Sequence, residues 1–299
     1  MLDKLEFLIA LDREKHFGRA ADSCGVAQPT LSLGLQSLEQ MFNVPLVKRS
    51  SRFQGFTPEG ERVLVWARRM VGDAHAMQQE IAGLRNGIGS QIRLAAIPSA
   101  MPIVASITTP FQHRNPTVRF TVLTRSSEEL LGLLHQREID AGVTYLDNEP
   151  VGDVLKVPLY HERYLLLTTV GGPHGSDAQV AWAELGALPL CLATRDLQHR
   201  RIVDGMLRAA GVSVTPKIEA DSIVALTSHV RTGSWVSIVP RSIINSIEMN
   251  GTFRAIPIVE PDVSYTIGLV VSERFPVQPA ILSLMEEART RAAEGPSLA

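Results

Sequence analysis

The chain has 299 residues, of which 45% are hydrophobic and 20% charged, and its formal net charge is −2. This composition is typical of a globular protein with two or three domains, each large enough to bury a core. It excludes a globally basic surface, so any contact with nucleic acid has to come from a local patch and a second copy of the chain.

The N-terminus and the cysteines bear on the compartment. Charges at Asp3, Lys4 and Glu6 stand where the apolar segment of a signal peptide would begin. No apolar run approaches the roughly 20 residues of a membrane-spanning helix. Cys24 and Cys191 form no CxxC pair and are predicted to be reduced thiols, and their spacing gives no support to a redox switch. We therefore expect a cytoplasmic protein without membrane contact.

Three helical segments are predicted in the N-terminal part of the chain. Apolar residues at close to helical spacing predict a first helix over residues 2–15. Two short helical patterns then flank a break at Gly25. The second opens at Gln28 with Pro29 at its first position, where the missing N–H is not needed. Two short helices joined by a tight glycine turn are typical of a helix-turn-helix, whose second helix enters the DNA major groove. The alternative is a small three-helix unit without a DNA role.

Several short motifs then occur in the order found in one known family. They are Ala20-Ala21, Ala27-Gln28-Pro29, Ser32, Leu38-Glu39, Leu46-Val47-Lys48-Arg49 and Thr57-Pro58-Glu59-Gly60. This series resembles the N-terminal domain of LysR-type transcriptional regulators, and the resemblance extends over the whole chain. It implies a regulator that binds promoter DNA as a dimer or tetramer, acts on RNA polymerase and responds to a small effector.

The candidate DNA contacts are polar and basic side chains of the second helix and of the wing that follows it. Hydroxyl and amide groups can bond phosphates or base edges, and basic groups can neutralise phosphates. The expected contacts are Gln28, Pro29, Thr30, Ser32, Gln36, Lys48, Arg49 and Arg52. The alternative for each is helix capping or an ordinary solvated side chain. Gly34 in the same helix either permits close approach to DNA or is simply tolerated there.

A long helix is predicted after the wing. Thr57 can cap it, Pro58 takes its first position, and the pattern runs to about Arg85. Small and apolar residues repeat in alternating steps of four and three, which is typical of a coiled-coil seam. The predicted seam consists of Val63, Ala67, Met70, Ala74, Met77, Ile81 and Leu84. It predicts a dimerisation helix, with packing against the chain's own domain as the alternative, and a hinge at 86–90.

From residue 91 onward, strands alternate with helices, which predicts α/β units with a mainly parallel sheet. The predicted strands cover 91–97, 118–123, 139–143, 164–169, 188–192, 214–219, 236–240 and 265–271, and the predicted helices 100–114, 126–136, 200–210, 222–231 and 280–293. Ser126 and Glu129 fit a capping box. The tail after Ala293 is expected to be disordered.

The resemblance implies two α/β lobes joined by crossing strands, similar to periplasmic binding proteins. The predicted fold is therefore α+β and multidomain. We expect a winged helix-turn-helix over 1–58, a dimerisation helix and hinge over 59–90, and an effector-binding domain over 91–299. Lobe I would hold 91–161 and 268–299, and lobe II would hold 162–267.

Hydroxyl groups after the strands mark the expected effector cleft. In open α/β sheets ligands bind beyond the carboxyl ends of strands, where helix N-termini attract anions. The candidate contacts are Ser99, Ser127, Thr144, Thr194 and Arg195, with His199 and Ser222 as weaker ones. Ser99 and Ser127 occupy the positions at which the family contacts effectors. The expected effector is a small anion, plausibly a carboxylate, whose charge Arg195 would offset. A helix cap without a ligand is the alternative for each hydroxyl.

Two segments bear on the identity of the effector. Trp235 follows Thr232-Gly233-Ser234, where the family commonly has an Ala-Gly-x-Gly run, and it either narrows the cleft or packs against the neighbouring lobe. The segment from Tyr145 to Pro150 resembles regulators found beside formate dehydrogenase operons.

Two other classes of protein remain as alternatives. A two-lobed solute-binding protein would need an export signal and would have no helix-turn-helix. An enzyme would need a catalytic motif, and the sequence holds no HExxH, GxSxG, P-loop or zinc-ligand spacing. We therefore expect no catalytic residues, no metal ligands and no cofactor. The one cluster of histidine with arginine, His199-Arg200-Arg201, is expected at the surface.

Overall fold

The computed structural model describes residues 1–48, 53–86, 91–246, 251–273 and 277–294. The contacts within the chain divide it into two compact units, Met1–Ser90 with His135–Glu138, and Gln91–Leu134 with Ile139–Ala299. Each unit has a hydrophobic core of its own. Within the described ranges, no helix is long and apolar enough to cross a membrane. The predicted hinge covers 86–90 and the predicted disordered tail covers 294–299. Asn86 ends the long helix and Glu294 ends the last helix, and residues 87–90 and 295–299 lie outside the described residues.

The first unit begins with three helices packed around one core. They are α1 (Leu2–Glu14), α2 (Phe17–Ser23) and α3 (Gln28–Phe42). Between α2 and α3 lies Gly25, whose φ of 68° is in the left-handed region that favours glycine. The prediction of three helices is confirmed. Because α3 begins at Gln28, Pro29 takes the second helical position rather than the first, where its missing N–H is equally harmless.

A short antiparallel wing follows α3, with a bridge between Val47 and Phe56. The Glu39 carboxylate accepts hydrogen bonds from the backbone amides of Leu46 (2.7 Å) and Val47 (3.1 Å). The conspicuous Leu-Glu pair of the sequence therefore anchors the wing to the end of α3. Residues 49–52 of the wing lie outside the described residues.

Gly34 provides the space in which α1 and α3 pack. A Cβ atom at this position would lie 2.6 Å from Cδ2 and 2.8 Å from Cε2 of the Phe7 ring, which comes from α1. Real Cβ atoms do not approach other atoms so closely, so a side chain here would push the two helices apart. The structure thus explains the glycine by helix packing, which the sequence left undecided.

We expect Gly34→Ala to destabilise the first unit by about 1–3 kcal/mol because the added methyl overpacks the contact with Phe7. The matched control is Gly205→Ala, at a position where a Cβ would meet nothing within 4 Å. That control should gain up to about 1 kcal/mol from helix propensity. Calorimetry of both full-length variants measures the difference. A Gly34→Ala variant that is as stable as the wild type, or stabilised like Gly205→Ala, would refute the packing explanation.

The long helix α4 spans Pro58–Asn86, as predicted. Thr57 caps it, since the amide of Gly60 donates to Thr57 Oγ1 (2.9 Å). The same hydroxyl donates to the Pro45 carbonyl (2.7 Å), so the helix start is joined to the beginning of the wing. A side chain at Gly60 would overlap the Leu46 carbonyl oxygen, which explains the glycine of the Thr-Pro-Glu-Gly motif.

The apolar residues of α4 are divided between two faces. Ala67 is buried with Leu64 and Val71 in the core of the first unit. A neighbouring face, about 100° around the helix axis, exposes Trp66, Met70, Met77 and Ile81, which helical periodicity places in one stripe. The predicted seam is therefore wrong at Ala67, because the first turns of α4 pack against their own unit. Val63 and Ala74 are half-buried, and the side chain of Leu84 is outside the described part of the chain.

The second unit alternates strands and helices. In chain order its elements are β1 (Gln91–Ala96), α5 (Met101–Arg114), β2 (Arg119–Thr124), α6 (Ser127–His135), β3 (Ala141–Tyr145), β4 (Val154–Glu162), β5 (Tyr164–Thr169), β6 (Val180–Ala181), β7 (Cys191–Ala193), α7 (Gln198–Ala209), β8 (Ile218–Ala220), α8 (Ile223–Arg231), β9 (Ser237–Pro240), β10 (Phe253–Val259), β11 (Tyr265–Ser272) and α9 (Pro279–Glu294). The predicted helices and strands of this part are present with shifted ends.

The predicted capping box is also confirmed, since the Ser126 amide donates to the Glu129 carboxylate (3.1 Å) and the Glu129 amide donates to Ser126 Oγ (3.3 Å).

Two sheets organise this unit into two lobes. Lobe I contains a five-stranded sheet of order β2-β1-β3-β11-β4, and lobe II a four-stranded sheet of order β6-β10-β5-β9 beside the pair β7-β8. The chain crosses from lobe I to lobe II between β4 and β5, and returns between β10 and β11. The expectation of mainly parallel sheets is confirmed for strand direction. In lobe I the strands β1, β2, β3 and β4 run the same way, and β11, which returns from lobe II, is antiparallel to its neighbours β3 and β4. In the four-stranded sheet of lobe II, β5 is antiparallel to both of its neighbours, β10 and β9.

Candidate functional site

The helix α3 presents an exposed polar face on the first unit. Gln28, Pro29, Thr30 and Gln36 are exposed, and Ser32 is half-buried. No described residue forms a hydrogen bond with the side chains of Gln28, Thr30, Ser32 or Gln36. These polar groups are therefore free to bond a ligand outside the chain.

Leu33 belongs to the same face and was missed by the sequence analysis. Its side chain is 65% exposed, and helical periodicity aligns it with Pro29, Gln36 and Gln40. An apolar side chain in this position can contact the methyl group of thymine in a major groove. The sequence could have indicated this exposure, because Leu33 is out of helical register with Leu31, Leu35 and Leu38, the buried leucines of α3.

The described part of the wing supplies one of the three predicted basic residues. Lys48 is exposed, and its amide donates to the Gly55 carbonyl (3.1 Å), so the wing holds it in place. Arg49 and Arg52 lie outside the described residues.

In the second unit, Ser99 is engaged in hydrogen bonds inside the protein, at the place where lobe I meets lobe II. It lies in a short 3-10 helix after β1 and is almost fully buried. Its side chain hydrogen-bonds to Tyr145, and its carbonyl accepts from Ser242 Oγ (2.8 Å). An incoming ligand would have to displace Tyr145 to reach this hydroxyl.

Ser127, the first residue of α6, faces an arginine from the other lobe. The arginine is Arg201 of α7, whose Nη2 lies 3.4 Å from Ser127 Oγ. The Arg201 guanidinium also binds the Glu149 carboxylate, and this hydrogen bond raises the pKa of Arg201 further. The expected cation Arg195 instead has a side chain that is 73% exposed and lies 4.0 Å from Asp204. Arg201 thus takes the place expected for Arg195.

Thr144 and Thr194 carry buried hydroxyls without partners. Oγ1 of each has no hydrogen-bond partner among the described residues. Thr144 lies on β3 of lobe I and Thr194 follows β7 of lobe II. Burial of an unpaired hydroxyl is costly, so both groups are candidates to bond a ligand or water.

The start of α7 is buried, which contradicts the expected surface position of His199 and Arg200. The Arg200 guanidinium is held by the carboxylates of Asp204 (2.8 Å) and Glu219 (2.6 Å) and by the Ala193 carbonyl. Burial, together with the neighbouring Arg200 charge, lowers the pKa of His199 to about 4. These residues lie inside because α7 packs its first turn against lobe II.

A buried carboxyl lies where the chain crosses between the lobes. Glu162 accepts hydrogen bonds from the amides of Ser242 (3.1 Å) and Arg163 (3.2 Å) and from the Tyr160 hydroxyl (3.2 Å). Burial raises its pKa. A protonated Glu162 would donate to Ser242 Oγ, which in turn donates to the Ser99 carbonyl. Beside it is a pocket of about 750 Å³, lined by Pro158, Leu159, Tyr160, His161, Glu162, Arg163, Arg241, Ser242, Thr266 and Ala292.

Two further residues singled out in the sequence are Ser222 and Trp235. Ser222 is exposed at the N-terminus of α8, and its side chain makes no capping hydrogen bond there. Trp235 packs against a core cluster of lobe II. Among the described residues, no group of three histidine, cysteine, aspartate or glutamate side chains could hold a metal ion.

Known proteins match both units. Residues 2–61 match the family described as bacterial regulatory helix-turn-helix protein, lysR family, and residues 85–293 match the LysR substrate binding domain. The chain is 27% identical over 288 residues to the DNA-binding transcriptional dual regulator OxyR of Escherichia coli, covering 96% of this chain and 94% of that protein. It is also 27% identical over 276 residues to a hydrogen peroxide-inducible genes activator of Pectobacterium carotovorum, covering 92% and 91%.

Solved structures agree with this assignment. A full-length OxyR from Pseudomonas aeruginosa superposes with a TM-score of 0.74 at 25% identity, covering 97% of this chain and 94% of that chain. The fold is shared with CbnR in complex with its target DNA, with a TM-score of 0.69 at 22% identity and coverage of 98% and 99%. The chain therefore belongs to the LysR family and is a ligand-responsive transcriptional regulator, not an enzyme.

Proposed function

We propose that the exposed face of α3 reads DNA bases while the wing binds phosphates. The observation that carries this proposal is the set of free polar side chains on that face, at Gln28, Thr30, Ser32 and Gln36. Pro29 and Leu33 would add apolar contacts. Lys48, with Arg49 and Arg52, would supply the local positive charge that a chain of net charge −2 otherwise lacks.

Self-association would place two such faces on one promoter. We propose that the exposed stripe of α4 pairs with the same stripe of a second copy, and that dimers assemble further into tetramers. The regions expected to carry these roles are 1–58 for DNA binding, 59–90 for dimerisation and 91–299 for the effector, with lobe I at 91–161 and 268–299 and lobe II at 162–267. The regulator would work in the cytoplasm and act on RNA polymerase.

The proposed effector is a small anion, plausibly a carboxylate, bound between the lobes. Ser99, Ser127, Thr144 and Thr194 would offer hydroxyls, and the first turn of α6 adds a helix N-terminus. Arg201 Nη2 lies 3.4 Å from Ser127 Oγ, whereas the Arg195 side chain is 73% exposed, so Arg201 is the better candidate for the cation. An effector that prefers one arrangement of the lobes would shift the regulator towards it.

Hydrogen peroxide is named as the signal of several relatives, but the thiols of this chain do not suit it. Cys191 is fully buried, and burial raises its pKa, so little thiolate forms. Cys24 is half-buried at the end of α2, in the other compact unit. We therefore propose effector binding rather than thiol oxidation as the signal. The likeness of residues 145–150 to regulators beside formate dehydrogenase operons is consistent with a small carboxylate.

The function is tested by gel retardation of the promoter region upstream of the protein's own gene. We expect Ser32→Ala and Thr30→Ala each to weaken binding by about fivefold to a hundredfold, because a base or phosphate contact is lost. The control is Thr290→Ala on α9, an exposed hydroxyl in the other unit. A folded, dimeric protein that retards no DNA at low salt would overturn the proposal.

A further inference from the structure

One ion pair joins the two lobes next to an expected effector contact. Glu149 follows β3 of lobe I, and Arg201 lies on α7 of lobe II. Arg201 Nε is 2.7 Å from Glu149 Oε1, and Nη2 is 2.8 Å from Oε2. The pair is therefore bidentate, the geometry in which arginine recognises carboxylates most strongly.

The remaining N–H groups of the Arg201 guanidinium face carbonyl groups of its own lobe and the first residue of α6. Nη1 donates to the carbonyls of Asp196 (2.6 Å) and Arg195 (3.2 Å), which orient the side chain independently of Glu149. Nη2 also approaches Ser127 Oγ at 3.4 Å. The carboxylate of Glu149 thus shares Nη2 with the hydroxyl that is expected to contact an effector.

The segment around Glu149 is attached to the rest of the unit by few polar contacts. The Asp147 carbonyl accepts from Gln198 Nε2 (3.4 Å), also on α7, and its carboxylate accepts from the Thr266 amide (2.5 Å). Both Glu149 and Arg201 have side chains that are 33% exposed, so solvent and small solutes can reach the pair. A small carboxylate from solvent can therefore reach the same two Arg201 donors and exchange with Glu149.

We propose that Glu149 is an internal substitute for the effector, holding the anion position on Arg201 until a small carboxylate displaces it. This inference rests on the proposed function, because it names the chemistry of the same cleft. The Arg201 guanidinium would keep its orientation from the Asp196 and Arg195 carbonyls and exchange one carboxylate for another. Release of Glu149 would remove the ion pair that joins the 147–149 segment to α7 and leave the longer Gln198–Asp147 hydrogen bond (3.4 Å), which loosens one connection between the lobes. Because the effector and Glu149 compete, the apparent affinity for the effector equals the intrinsic affinity multiplied by the fraction of protein in which Glu149 is released.

Hydrogen exchange of the ligand-free, full-length protein tests the closed state. In Glu149→Gln, backbone amides of 147–149 and 198–204 should exchange about fivefold faster than in the wild type, as expected for loss of a partly exposed ion pair. The control is Glu286→Gln, which breaks a surface pair with Arg289 (2.6 Å) on α9. The control should leave both segments unchanged. Unchanged exchange in Glu149→Gln would overturn the proposal.

A thermal-shift titration with succinate tests the competition between effector and Glu149. Sodium sulfate at equal ionic strength is the comparison. The concentration for half-maximal thermal shift should be about fivefold lower in Glu149→Gln than in the wild type, and unchanged in Glu286→Gln. Equal midpoints, weaker binding in Glu149→Gln, or no response to succinate in either protein would each overturn it. Sulfate binding at the same midpoint would assign the site to anions in general and overturn the carboxylate assignment. Both assays are read without DNA, so a failure to bind the promoter would refute the proposed function separately.

Discussion

Met77→Asp should convert the protein to a monomer and lower its affinity for promoter DNA by at least about a hundredfold. Met77 is 57% exposed on α4 and lies in the stripe with Trp66, Met70 and Ile81. A carboxylate in this stripe would be buried against the second copy without a hydrogen-bonding partner or counter-charge. The free-energy cost of that burial would exceed the gain from pairing the two helices. A monomer then binds one half-site only and loses the gain from simultaneous contact.

The matched control for this prediction is Val65→Asp. Val65 is 45% exposed on the same helix, but it lies about 120° around the axis from Met77. It should leave the dimer and the DNA affinity intact. Analytical ultracentrifugation reports the oligomeric state and gel retardation reports the affinity. If Met77→Asp remains a dimer, or if both variants dissociate equally, the stripe is not the interface.

His199→Leu should remove a pH-dependent loss of stability from the second unit. In the folded protein burial lowers the pKa of His199 to about 4, compared with an ordinary value of 6.5. Between these values the unfolded chain binds a proton that the folded chain excludes, so stability falls as pH falls from about 6.5 to about 4. The difference in pKa corresponds to at most about 3 kcal/mol at the acid end of this window.

Denaturant unfolding of the full chain at pH 7, 6, 5 and 4.5 measures this effect. Carboxylates also titrate in this range, so the relevant quantity is the difference in slope between His199→Leu and the wild type. The control is His113→Leu, which replaces an exposed histidine on α5. The control should keep the slope of the wild type. A variant at His199 with that same slope would show that the histidine does not drive the loss.

The local elements were largely predictable, because capping and periodicity depend on neighbours in sequence. Thr57, Ser126 and Glu129 cap helices as expected. Three strands were missed, the two-residue β6 and the longer β4 and β10. The two longer strands each contain a proline, Pro158 and Pro257. Proline normally argues against a strand. Here β4 lies at the edge of its sheet, where a missing donor is tolerated.

The site was less predictable than the fold. The sequence favoured Arg195 because it directly follows a strand of lobe II, yet its side chain extends into solvent. Arg201 lies six residues later on α7, and only the packing of α7 brings it to Ser127 and Glu149. Glu162 gave no sequence signal, since a charged residue between two strands is ordinarily exposed. Its burial follows from the crossing of the chain between lobes.

The sequence by itself determined that this protein has a helix-turn-helix, a long capped helix and a two-lobed α/β domain, because these follow from motifs and short-range patterns. Only the tertiary structure decided which face of each helix is free. Ala67 and Trp66 are adjacent on α4, and packing against the first unit buries one and exposes the other. Gly34 likewise shares a helix with the residues proposed to contact DNA, but its missing side chain makes room for Phe7. Such choices depend on which distant segments meet, and that information is not contained in local sequence.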